Sequence, residues 1–168
     1  PGFPGETRFG GIERLELTLD LDALVESRIL HLARMHLEQP QATLFAPPDA
    51  EPNWILPPAS PSNAPPALKL TFGELSIAGG EVHLLHPALK SDFRARFDTR
   101  PGERSGESEL HVEARGRYAG QPIEGRFVGG SLLALRDEQN PYPLMLDVAN
   151  GPTRLHLQGT LQIDLCIW

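Results

Sequence analysis

The side chains able to do chemistry in this 168-residue sequence are six histidines, one cysteine and 22 carboxylates, and their spacing decides what they are able to do together. His83 and His86 lie three apart, which on a strand sends them to opposite faces, so they make poor joint metal ligands. His31 and His36 fail by the same parity. His111 and His156 each fall in the polar register of an alternating segment. The carboxylates, Glu109 and Glu113 among them, are dispersed along polar faces as solvated charges, not gathered into the facing pair that glycoside hydrolysis needs. Cys166 has no Gly-x-Cys-x-Gly turn around it and no organised base nearby in sequence. Gly79-Gly80 and Gly129-Gly130 lack the Gly-Lys-Ser/Thr of a phosphate loop and read as turn glycines. The expectation is no catalytic residue, no metal ligand and no cofactor. A chain of this kind is not an enzyme, and its function must come from a surface or a groove.

The elements that carry these residues are strands. Leu15, Leu17, Leu19 and Leu21 alternate with Arg14, Glu16, Thr18, Asp20 and Asp22, the period-two mark of a half-buried strand. Phe93, Ala95 and Phe97 do the same against Asp92, Arg94, Arg96 and Asp98. Leu110, Val112, Ala114 and Tyr118 oppose Glu109, His111, Glu113, Arg115 and Arg117. Leu144, Leu146 and Val148, then Leu155, Leu157, Leu161 and Ile163, continue the pattern near the end. Ala78-Gly79-Gly80-Glu81, Ala119-Gly120-Gln121-Pro122 and Asn150-Gly151-Pro152 lie between such runs as hairpin turns. The phase slips twice, from Leu30/Leu32 to Met35/Leu37 and from Leu68/Leu70/Phe72 to Leu75/Ile77 across Gly73, and a β-bulge would keep each apolar set on one face. Helical signal is confined to Leu21–Arg28 and to Ser131–Asp137, with Ser131 as N-cap.

Composition narrows the classes. Fifteen Lys and Arg against 22 Asp and Glu leave a net charge of −7 with no basic block, which argues against a nucleic-acid partner. A single cysteine excludes an internal disulfide. Sixteen glycines and 17 prolines make the chain rich in turns without general disorder. Eight of the prolines fall between Pro47 and Pro66, an extended loop. It separates an N-terminal strand-helix-strand unit, 1–46, from a β-meander, 67–163, in the same domain, with 164–168 as a possible non-native tail. No apolar run reaches the 18 residues of a membrane helix, and because the sequence starts at Pro1 it reads as a fragment or processed product that leaves an upstream anchor open.

About ten amphipathic strands with little helix leave one apolar sheet face in need of cover. A closed barrel, a two-sheet sandwich and a curled gutter holding a ligand or lipid all answer that need. Alternation alone does not separate them.

The order of short motifs does. Pro1-Gly2-Phe3, Ile12-Glu13-Arg14-Leu15-Glu16-Leu17, the run Leu21-Asp22-Ala23-Leu24-Val25-Glu26-Ser27-Arg28-Ile29, the pair Asn53-Trp54, Leu75-Ser76-Ile77-Ala78-Gly79-Gly80-Glu81-Val82, Gly116-Arg117-Tyr118 to Gln121-Pro122, Tyr142-Pro143-Leu144, and Leu155-His156-Leu157-Gln158-Gly159-Thr160-Leu161 together resemble the segment that follows the membrane anchor in the AsmA family of Gram-negative envelope proteins. The resemblance covers nearly the whole chain and stops after Leu161. It implies a mainly β fold, a curled antiparallel sheet forming a gutter or half-barrel of hairpins with one or two short helices. It also implies a place on the periplasmic side of the inner membrane, held by an anchor absent from this sequence, and kinship with bridge-like lipid transporters.

On that footing the expected function is to bind or conduct phospholipid along an apolar β-groove in support of outer-membrane biogenesis. The acyl chains would rest on Leu15, Leu17, Leu19, Leu70, Phe72, Phe93, Phe97, Leu110, Val112, Leu144 and Leu146, each of which has plain core packing as its alternative. Trp54 is read as a packing anchor, with interfacial membrane contact as the alternative. The rival reading is a scaffold or chaperone-like module for outer-membrane protein assembly, offering an open sheet edge to a client strand, and envelope proteins are expected partners in either case.

Overall fold

A computed structural model describes residues 10–27, 29–48, 51–55, 69–102, 107–136 and 140–162. Pro1-Gly2-Phe3, the latter part of the Pro-rich loop and the tail 164–168 lie outside them.

Period-two sequence becomes strand nearly everywhere the alternation runs. The strands are β1 (Gly10–Gly11), β2 (Arg14–Asp20), β3 (Ile29–Glu38), β4 (Gln41–Phe45), β5 (Lys69–Ala78), β6 (Gly80–His86), β7 (Ser91–Pro101), β8 (Ser108–Tyr118), β9 (Gln121–Gly129), β10 (Tyr142–Asn150) and β11 (Thr153–Leu161). A short helix α1 (Leu21–Ser27) and 3₁₀ turns at Pro87–Leu89 and Leu132–Arg136 complete the described elements. Asp20 Oδ1 accepts from the Asp22 amide at 3.1 Å at the start of α1, and Ser131 Oγ accepts from the Ala134 amide at 3.2 Å as the cap anticipated there. The fold class is the one expected, mainly β and not closed.

The strands form an eight-stranded sheet, β1-β4-β6-β7-β8-β9-β10-β11, and a three-stranded one, β2-β3-β5. These are two halves of three bent strands. Partners of β3 and β4 on β5 and β6 differ by 40 positions throughout, from Ile29↔Lys69 to Glu38↔Ala78 and on from Gln41↔Glu81 to Phe45↔Leu85. The hydrogen bonds continue across the bend, from Glu13 N to Glu38 O at 3.1 Å, from Gln39 N to Ala78 O at 2.7 Å and from Glu81 N to Pro40 O at 2.8 Å. Gln39 and Gly79 take φ of 47° and 64° at the bend, and each adds one residue to the alternation. Leu37 therefore stays on the face of Ala42, and Ile77 on the face of Val82.

Two expectations are corrected here. Ala78-Gly79-Gly80-Glu81 is not a hairpin: β5 and β6 do not pair with each other but follow one another along one bent strand, and Gly79 supplies the left-handed conformation of the bend. The sheets are also mixed, because β3–β5 and β4–β6 are parallel. Parallel neighbours need a long crossover, and that is the work of the Pro-rich loop between Phe45 and Lys69. The other two hairpins stand as anticipated. Ala119 and Gly120 (φ 51° and 77°) join Tyr118 to Gln121, and Gly151 (φ 56°) with Pro152 joins Asn150 to Thr153.

The expected bulge is present. The β2–β3 register shifts between Thr18 and Leu19, leaving Ala33 unpaired, so Leu15, Leu17 and Leu19 face Leu37, Met35 and Leu32 in turn. The same bulge corrects the parity argument for His31 and His36, which face Asp20 and Glu16 and so share the polar face. They still act separately, His31 Nδ1 with Thr71 Oγ1 at 2.9 Å and His36 Nδ1 with Ser76 Oγ at 2.8 Å.

Asn53 of the Asn-Trp pair does the work of a missing strand residue at the open edge of β4. Its side chain accepts from the Phe45 amide and donates to the Thr43 carbonyl, both at 2.8 Å, and its amide donates to the Phe45 carbonyl at 3.0 Å. Asn53→Ala loses both side-chain bonds. We expect about 2 kcal/mol of destabilisation, read as a lower denaturant midpoint with unchanged m, together with faster amide exchange at Phe45.

Candidate functional site: an open apolar sheet face

Cross-strand register gathers the alternating apolar residues into rows. One runs Phe97–Val112–Phe127–Leu146–Leu157 across β7 to β11. Beside it runs Val82–Ala95–Ala114–Gly125–Val148–Leu155 from β6 to β11. Leu84–Phe93–Gly116–Ile123 and Leu110–Gly129–Leu144–Gly159 flank these two. On the three-stranded part, Leu19–Leu32–Phe72, Leu17–Met35–Leu75 and Leu15–Leu37–Ile77 continue the face beyond the bend.

Glycines shape this surface. A Cβ on Gly80 would sit 2.3 Å from the ring of Phe97, one on Gly116 would sit 2.5 Å from Phe93 Cβ, and one on Gly129 would sit 2.6 Å from the ring of Phe127. Three phenylalanines thus lie close to the sheet over or beside three glycines, which keeps the face low and continuous.

The opposite face is charged. Glu81–Arg96–Glu113–Arg126–Asp147–His156 forms an alternating row across six strands, with Arg96 Nε 3.4 Å from Glu81 Oε2 and His156 Nδ1 2.5 Å from Asp147 Oδ1. Among the described residues no three of His, Cys, Asp and Glu come together as a metal-binding group.

Among the described residues, no second layer covers the apolar rows. Ala46, Ile77, Leu110 and Tyr142 are the buried hydrophobic residues, and no large side chain is fully enclosed among the described residues. Leu15, Leu17, Leu19 and Leu157 keep 46–48% of their surface in water. Burial concentrates where the bent strands part from β7. There Thr99 Oγ1 accepts from the Ile77 amide at 3.1 Å, Asp98 Oδ1 accepts from the Gly79 amide at 2.7 Å, and the 3₁₀ turn Leu132–Arg136 packs against β5. Tyr142 closes the neighbouring corner, its hydroxyl donating to the Gly130 carbonyl at 2.7 Å while burial raises its pKa above that of a free phenol. Along the bend, Gly10, Ile12, Pro40, Ala42 and Phe97 line an apolar recess of about 540 Å³.

Ten of the eleven residues expected to touch acyl chains therefore lie on these apolar rows, and the eleventh, Leu70, pairs with Leu30 two residues beyond Phe72 on β5. Of the eleven, ten keep part of their surface accessible, and Leu110 is the exception, enclosed with Ile77 and available only for packing. Phe127, Val148, Leu155 and Leu157 complete the rows and were not singled out from sequence. The alternation of Val148, Leu155 and Leu157 is visible in the sequence, but register alone shows that they and Phe127 extend the same surface.

Among curated proteins, the chain is similar to the AsmA family protein YhjG of Escherichia coli (strain K12), 26% identical over 171 residues, which takes in 89% of this chain. That likeness supports membership of the AsmA family. This is a family of bacterial envelope proteins. The chain spans about a quarter of the length of that curated AsmA relative, 25%. No family model matches it, and no solved structure matches it.

Proposed function

We propose that this AsmA-family segment binds phospholipid by its acyl chains along the open apolar face, on the periplasmic side of the inner membrane, and passes it along the groove of a longer protein in support of outer-membrane biogenesis. The observation that carries this reading is the uncovered face itself. Rows of Leu, Phe and Val crossing five or six strands form a contiguous apolar surface of the kind that soluble monomers avoid unless it is used. Each methylene laid on it contributes roughly 0.8 kcal/mol without a catalytic group. Headgroups would stay in water at the strand ends.

Native mass spectrometry of gently extracted protein tests the reading. Phospholipid adducts that resist mild activation and disappear on delipidation are expected, and a chain that stays lipid-free when purified from lipid-rich extracts would overturn it.

The scaffold reading draws on a separate feature. β11 pairs with β10 on one side and with no described strand on the other, which leaves an edge of nine residues open to a client strand. Under that reading, crosslinks form along the β11 backbone and not on the rows.

A further inference from the structure

The end of the eight-stranded sheet where β4 and β6 finish differs in character from the rest of the molecule. Its turns expose Trp54, Ile55, Leu89 and Tyr118, each with more than a third of its surface in water. Hydrogen bonds hold these turns together. Asn53 is bound to β4, Leu89 follows β6, and the Gly120 amide donates to the Lys90 carbonyl at 3.2 Å, which ties the β8–β9 turn to the β6–β7 connection.

Basic groups gather just inside that end, on the charged face. Arg94 and Arg115 stand directly opposite one another, Arg117 lies two residues nearer the turn, and Lys90 lies in the connection itself. Like charges placed opposite each other on a sheet are unfavourable. Nearby acids offset them only in part. Glu81 is shared between Arg94 at 3.9 Å and Arg96 at 3.4 Å, and Asp92 is engaged by His83 Nε2 at 2.8 Å. Glu124 faces Arg115 in the register, yet Arg115 has no ion-pair partner within 4.0 Å among the described residues. The adjoining loop carries two further acids in its sequence, Asp49 and Glu51. The far end of the same strands has the opposite balance, with Asp98, Glu107 and Glu109 near Arg100, and the chain as a whole carries −7.

We propose that this end of the sheet docks on the headgroup layer of an anionic phospholipid bilayer. Trp and Tyr on turns, with single aliphatic side chains beside them, suit the boundary between headgroups and acyl chains, while guanidinium groups recognise the phosphates. The four apolar side chains are spread over three separate turns, with Trp54 and Ile55 sharing one, which favours insertion among headgroups over the continuous patch that a protein partner would require. This contact is distinct from acyl-chain binding on the apolar rows and stands or falls independently of it.

Sedimentation with vesicles tests the proposal, using the 168-residue chain with Trp168→Phe so that Trp54 is the only tryptophan. Vesicles containing phosphatidylglycerol are expected to bind the chain and shift Trp54 emission to the blue, whereas phosphatidylcholine vesicles do neither. Arg94→Gln/Arg115→Gln/Arg117→Gln should weaken that binding about a hundredfold with its β-type circular dichroism retained. If the triple variant loses that signal, Arg115→Gln alone takes its place, with about a fivefold loss expected. Arg100→Gln, at the far end of β7, should leave vesicle binding unchanged. Equal binding to phosphatidylcholine, arginine variants that bind as before, or tighter binding to polyglutamate than to vesicles, the mark of an acidic protein partner, would each overturn the proposal.

Discussion

Val112→Glu is expected to reduce co-purifying phospholipid more than tenfold while the chain stays folded. Val112 lies in the middle of the row between Phe97 and Phe127, half-buried by its neighbours and open above. A carboxylate there reaches water, so the usual cost of enclosing a charge is largely avoided. An acyl chain on the same row loses contact wherever the hydrated carboxylate stands. Displacing two methylenes at roughly 0.8 kcal/mol each removes about 1.6 kcal/mol, more than a tenfold change in affinity. Phe72→Glu makes the same substitution on the three-stranded part and should behave alike. Lipid content by mass spectrometry and a thermal melt on the same samples read both quantities. A folded variant that keeps its lipid removes the apolar rows from the function, and variants that unfold show that the face is covered in solution.

The largest effect on stability is expected from Gly116→Ala. At this position β8 approaches β7 so closely that an added Cβ would meet Asp92 O at 2.3 Å and Phe93 Cα at 2.4 Å. Both are backbone atoms, so relief requires the central strands to move apart instead of a side chain turning away. Asp92↔Arg117 and Phe93↔Gly116 are the register pairs that would open. A penalty of about 3 kcal/mol follows, which for a chain of this size lowers Tm by roughly 6 to 12 °C. Gly159→Ala is the control, since a Cβ there meets nothing within 4 Å. If the two variants melt together, the close approach of β7 and β8 does not persist in solution.

The two predictions also separate what alternation encodes from what register adds. Leu15, Leu17 and Leu19, or Phe93, Ala95 and Phe97, announce one apolar side of one strand, because consecutive strand residues point to opposite faces whatever the partner. The β8–β9 and β10–β11 turns were equally legible, since Ala119, Gly120 and Gly151 carry the positive φ of tight hairpins. Gly79-Gly80 misled because a glycine with positive φ serves a bend as well as a reversal, and local sequence holds no record of which ladder the next strand joins. His31 and His36 misled for a related reason, in that one unpaired residue, Ala33, changes the parity of everything beyond it.

The sequence by itself therefore determined that the chain is mainly β, that each strand has one apolar side, that it resembles the AsmA family, and that its carboxylates and histidines are dispersed. Those properties reside in composition and in spacing over a few residues. Only the tertiary structure decided that β3–β5 and β4–β6 run parallel, that three strands bend at one seam, that Leu110 is enclosed while Val112 is open, and that Arg94 stands against Arg115. Each of these depends on which residues from distant parts of the chain become neighbours. That is a property of register and of the crossover through the Pro-rich loop, and no local pattern carries it.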